Sequence, residues 1–79
     1  MNAKKFLLGI QKDRLISTAG RDLAADVNEQ IIDTGIELNR DEMRTLNNLF
    51  SSFGEHLGSS LDRQFKLMTI ISYVRSCTK

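Results

Sequence analysis

Apolar side chains recur along this chain at helical intervals, most regularly in its third quarter. Met43, Leu46, Phe50, Phe53 and Leu57 follow one another at steps of 3, 4, 3 and 4 residues, Leu49 widens that face, and the residues opposite are polar. Such a seam is what a packed or coiled helix pair requires. Its beginning is marked as well. Asn39 is placed to cap the first turn, Glu42 stands three residues on as in a capping box, and Leu38 and Met43 occupy the staple positions. The helix is therefore predicted to start at Arg40, with Asp41 and Glu42 in the turn where the macrodipole favours negative charge.

Upstream, Leu23, Val27 and Ile31 recur every four residues between Arg21 and Thr34, with Ala24 and Ile32 broadening the stripe and the acidic residues elsewhere. This predicts an amphipathic helix for which Gly35 supplies a left-handed C-terminal cap. An earlier helix over Ala3–Ser17 is expected with a less orderly apolar set (Phe6, Leu7, Leu8, Ile10, Leu15, Ile16), interrupted by Gly9 at a cost of about 1 kcal/mol relative to alanine. The chain has no proline, so its five glycines become the punctuation. Gly20 and Gly35 separate periodic segments, and Gly54 and Gly58 end or kink the third helix.

A last helix is predicted from Leu61 to about Cys77, capped by Ser59 with Asp62 or by Ser60. Phe65, Leu67, Met68, Ile70, Ile71, Tyr73 and Val74 cover most of its circumference. A helix apolar nearly all round must be covered on more than one side, which one neighbour in so small a chain does not do. A second copy is the expected cover. The fold class that follows is all-α: three to four short helices, a helical hairpin from the two C-terminal ones, and a homodimer with Phe50, Phe53, Leu57, Phe65, Met68 and Ile71 at the dimer or partner interface. Residues 1–79 form a single helical domain in this reading, with 1–20 a basic N-terminal helix or arm and 21–79 the core.

Size supports self-association. A chain of 79 residues buries only about 60% of its unfolded surface on folding, and Cys77 is alone, so no internal disulfide and no zinc-holding cysteine cluster supplements the core. The apolar run at 6–10 is too short for a signal peptide and no run approaches a membrane span, so a soluble, unprocessed cytoplasmic protein without a membrane partner is expected. Net charge is +1, unevenly spread: residues 1–21 carry +4, residues 22–42 carry −6 and residues 43–79 carry +3. Solvated helix faces account for this distribution, and a polarised surface that selects a charged partner is the sharper reading.

Catalytic chemistry needs convergent titratable groups, and few are present. His56 is the sole histidine, between Gly54-Glu55 and Leu57-Gly58, and reads as an exposed or capping residue. Cys77 lacks a histidine nearby in sequence. Asp22, Asp26, Glu29 and Asp33 share one helix but no histidine and no EF-hand order joins them. No catalytic, metal or cofactor residues are therefore assigned, no small-molecule substrate is expected, and the chain is read as a non-enzyme. For nucleic acid, Arg40, Arg44, Asn47 and Asn48 are partly grouped, as are Arg63 and Lys66, with Asp41, Glu42 and Asp62 between them. DNA binding is the weaker expectation.

The run Val27-Asn28-Glu29-Gln30-Ile31-Ile32-Asp33-Thr34-Gly35-Ile36-Glu37-Leu38-Asn39-Arg40, a helix ending in Leu49-Phe50, a polar break and a final helix closing on Ile70-Ile71-Ser72-Tyr73 together resemble the small enteric-bacterial proteins of the YmgB/AriR type. The likeness covers residues 23–74, and the basic N-terminal arm and the glycines around His56 depart from it. It implies a dimeric regulatory connector that acts on a sensor or regulatory protein of a two-component phosphorelay and affects biofilm formation and acid-stress response. Two alternatives stand beside it. The order of an apolar helix, an acidic helix and Gly-Ile-Glu-Leu is similar to the leaders of ribosomally made, modified peptides of the nitrogen-fixation-associated type. A nucleoid-associated modulator of DNA is the other.

Overall fold

The computed structural model describes residues 1–55 and 58–77, so His56 and Leu57 lie outside the described residues. The chain is all-helical. Among the described residues four α-helices follow one another: α1 (Ala3–Gln11), α2 (Thr18–Gln30), α3 (Arg40–Glu55) and α4 (Ser60–Ser76). One continuous apolar core joins them, built from Ala3, Leu7 and Ile10 of α1, Leu23, Ala24 and Val27 of α2, Leu46 and Phe50 of α3, and Leu67, Ile70, Ile71 and Val74 of α4. Ile16, Ile31, Ile36 and Leu38 close it from the connecting segments. Among the described residues no helix is long and apolar enough to cross a membrane.

Each helix start is capped by the residue that its local sequence offers. Asn2 accepts from the backbone N–H groups of Lys4 and Lys5, Ser17 from that of Gly20, and Ser59 from that of Asp62. At α3 the exchange is reciprocal: Glu42 N–H donates to Asn39 Oδ1 and Asn39 N–H donates to Glu42 Oε1, both at 2.8 Å. Two orphan donors of the first turn are satisfied at once.

Two boundaries differ from the sequence expectation. The first helix stops at Gln11 and not Ser17, because Asp13 folds the chain back: its Oδ1 accepts from Leu15 N–H at 2.9 Å and its carbonyl from Ile16 N–H at 3.2 Å. Ser17 is then free of α1 and caps α2, which begins at Thr18 and takes Gly20 inside it. The second helix ends at Gln30, four residues before Thr34. Ile31 is extended (φ −87°, ψ 108°), as suits the β-branched run Ile31-Ile32. Gly35 is not the left-handed cap, for Gly58 is the one described glycine with positive φ (61°). The end of α2 is closed instead from another helix. Lys4 Nζ donates to the carbonyls of Asn28 (2.6 Å) and Ile31 (2.7 Å) and to Asn28 Oδ1 (3.2 Å), a cation set on the negative end of the dipole. Ile32 consequently falls outside the stripe and is exposed.

The residues before α1 lie against the α2–α3 connection as a short antiparallel pairing. Asn2 bridges Glu37, Ala3 N–H donates to Ile36 O at 2.9 Å, Leu38 N–H donates to Met1 O at 2.7 Å, and Asn2 Nδ2 donates to Thr34 O at 2.7 Å. The N-terminal segment is thus docked by backbone hydrogen bonds as well as by the apolar face of α1.

Helix α2 is the hub, touching α1, α3 and α4, whereas α3 and α4 share the slighter contact. The support that a C-terminal hairpin would give α4 comes largely from α2. A partly buried ion pair, Arg63 with Asp26, fastens the start of α4 to α2. The α2–α3 crossing is close because two glycines meet there. A Cβ on Gly20 would stand 2.7 Å from Phe50 O, and one on Gly54 would stand 2.8 Å from Gly20 N and Cα. Gly54 is therefore a packing residue in the last turn of α3, which ends one residue on, at Glu55.

Candidate interaction surface

Helix α4 carries two apolar faces of different fate. Leu67, Ile70, Ile71 and Val74 are buried in the core. Leu61, Phe65 and Met68, at steps of four and three, form a second stripe centred about 140° away around a helix that turns about 100° per residue. These three are 76%, 74% and 45% exposed. Gln64, Thr69 and Ser72 complete a shallow concave face with them, so no charged side chain lines it. Its N-terminal end is anchored by the Ser59 cap.

The six residues expected at an interface part company here. Phe65 and Met68 are on the stripe. Phe50 and Ile71 are fully buried inside the protomer, where α3 and α4 each turn their most apolar side toward the core, and neither side chain is open to a partner. Phe53 is half-buried, packed on the core with the Lys66 ammonium 5.5 Å from its ring centroid. Leu57 lies outside the described residues. The residue that sequence reasoning missed is Leu61. In the sequence it reads only as the first residue of the helix, and its spacing of 4 and 7 from Phe65 and Met68 is the signal that places it on the stripe.

The polar side of α3 is the second exposed feature. Arg40, Arg44, Asn47 and Asn48, at steps of 4, 3 and 1, are all exposed on the face opposite Leu46 and Phe50, with Asp41 at its margin. The acidic residues of α2 do not converge: Asp26 pairs with Arg63, and Asp33, beyond the helix end, accepts from Gly35 N–H at 2.8 Å. Among the described residues no group of three or more His, Cys, Asp or Glu side chains is arranged to hold a metal ion. Cys77 is buried, its thiol donating to Tyr73 O at 3.3 Å, and Ser76 Oγ donates to the same carbonyl at 2.6 Å.

The class that these observations define, among the described residues, is an all-α protein with an uncovered apolar face on α4. In comparisons with protein-family models, curated proteins and solved structures, nothing matches this chain.

Proposed function

We propose that the protein is a non-enzymatic regulatory module that acts by binding proteins, as a homodimer and through a regulatory or sensor partner. The observation that carries this reading is the stripe of Leu61, Phe65 and Met68 on α4. The fully buried centre of a protein interface is marked by depletion of charge and enrichment of aromatic residues and methionine. The stripe has that composition, with neutral Gln64, Thr69 and Ser72 around it. In such an assembly α4 would be covered on both sides, and α3 with α4 would act as the C-terminal hairpin. A cytoplasmic connector role in a two-component phosphorelay, with effects on biofilm formation and acid stress, is supported by the resemblance at residues 27–40 and 70–73.

Sedimentation velocity over a concentration series tests the binding surface. The wild-type mass should rise toward that of a dimer, while Phe65→Ser, an exposed change, should keep its helical circular dichroism and stay monomeric. Wild-type protein that remains monomeric at roughly 0.5 mM, a concentration at which even weak specific contacts are populated, would refute the homodimer. Affinity capture with wild-type and Phe65→Ser baits then isolates partners that depend on the stripe.

A second reading, a DNA-binding modulator, is favoured by the exposed Arg40, Arg44, Asn47 and Asn48 on one face of α3. Arginine and asparagine are the side chains that read guanine and adenine bidentately in the major groove. It requires an electrophoretic shift that weakens steeply with salt and is lost in Arg44→Ala; the absence of any shift at low salt dismisses it.

A further inference from the structure

Resting on the homodimer reading above, we infer that the α4 stripe is covered by the same stripe of a second copy running antiparallel, with Phe65 facing Met68 and Leu61 facing Ser72 across the two-fold axis. Three observations lead there. The first is charge. A face copied by two-fold symmetry meets itself, so a charged face repels its copy and a neutral one does not. The residues lining this face are Leu61, Gln64, Phe65, Met68, Thr69 and Ser72, all neutral.

The second is the distribution of volume. On this face the bulky Leu61, Phe65 and Met68 come first along α4, and the small Thr69 and Ser72 follow. Parallel pairing would set Leu61 on Leu61 and Phe65 on Phe65 and leave Ser72 on Ser72, with no apolar contact at that end. Antiparallel pairing sets Leu61 against Ser72 at each end and Phe65 against Met68 between them, so apolar side chains reach both ends of the stripe. The third is the polarity of the helix. Asp62 stands in its first turn and Arg75 in its last. Antiparallel helices align their dipoles favourably and bring Arg75 of each toward Asp62 of the other, where parallel ones set like dipole ends together.

The area sets the strength. Three partly uncovered side chains per copy amount to a total burial on the order of 800 Å², short of the roughly 1,200 Å² of a stable specific interface. The dimer is accordingly weak and concentration-dependent.

Orientation is read by cross-linking. In a Cys77→Ala background, Leu61→Cys and Ser72→Cys chains are made separately, one carrying a mass tag, and treated with a short bismaleimide alone and mixed. Residues 61 and 72 are about 16 Å apart along a helix that rises 1.5 Å per residue, so the two orientations give opposite products. Antiparallel pairing yields the mixed 61–72 product and little of either homodimer. Efficient 61–61 and 72–72 products show a parallel dimer and overturn this inference while leaving the homodimer standing. Sedimentation on the same samples separates the remaining outcomes. A dimer without any of these cross-links places the interface elsewhere and overturns the α4 pairing, and a monomer at the highest concentration overturns the homodimer with it.

Discussion

Gly20 and Gly54 illustrate how one residue type takes different meanings in one chain. Within a helix, glycine is disfavoured by about 1 kcal/mol relative to alanine, and Gly9, where an added Cβ meets nothing within 4 Å, follows that rule. Gly9→Ala should therefore raise stability by about 0.5–1 kcal/mol. At the α2–α3 crossing the sign reverses. A methyl at Gly20 or Gly54 collides with backbone atoms of the facing helix, which do not swing aside as a flexible side chain would. Each alanine there should lower stability by about 1–3 kcal/mol, and thermal or urea melts of the three variants should show one gain and two losses. From sequence, Gly20 and Gly54 read as breaks, because spacing along the chain does not reveal which helices approach closely.

Among the helices, α2 depends most on its neighbours. Its start is local, Ser17 on Gly20 N–H, but its end is closed by Lys4 from α1. Lys4→Met keeps the aliphatic stem and removes the ammonium from two carbonyls. It should cost about 1–2 kcal/mol, and hydrogen exchange should quicken in the last turn of α2 more than in α3 or α4. The reverse outcome, uniform loss across all four helices, would mean that Lys4 acts through packing alone. The spacing of Asn39 and Glu42 makes the start of α3 readable from the sequence, since a capping box is closed within four residues. The end of α2 is not readable, because its partner stands 24 to 27 residues away.

For the molecule as a whole, magnitudes separate what folding needs from what association adds. The accessible surface of 5006 Å² agrees with about 4,900 Å² expected of a folded monomer of this mass. The Cα radius of gyration, 11.4 Å, agrees with about 11.6 Å for a compact chain of this length. A second copy is therefore not required to complete the core; the buried half of α4 is already covered by α2 and the rest of the protomer. The proposed association falls to the remaining stripe, and the Phe65→Ser variant should keep its unfolding free energy within about 0.5 kcal/mol of wild type, as surface changes ordinarily do.

Helix content, the cap at Asn39, and the excess of apolar residues on the last helix were all set by neighbours within one or two turns, so the order of residues was enough to find them. Which half of α4 is hidden was not so set. Leu67, Ile70, Ile71 and Val74 are as apolar as Leu61, Phe65 and Met68, and the choice between the two faces depends on where α2 lies in space. Contacts between residues distant in the chain made that choice, as they made the Lys4 cap and the Gly20–Gly54 crossing, and periodicity along the chain carries no record of them.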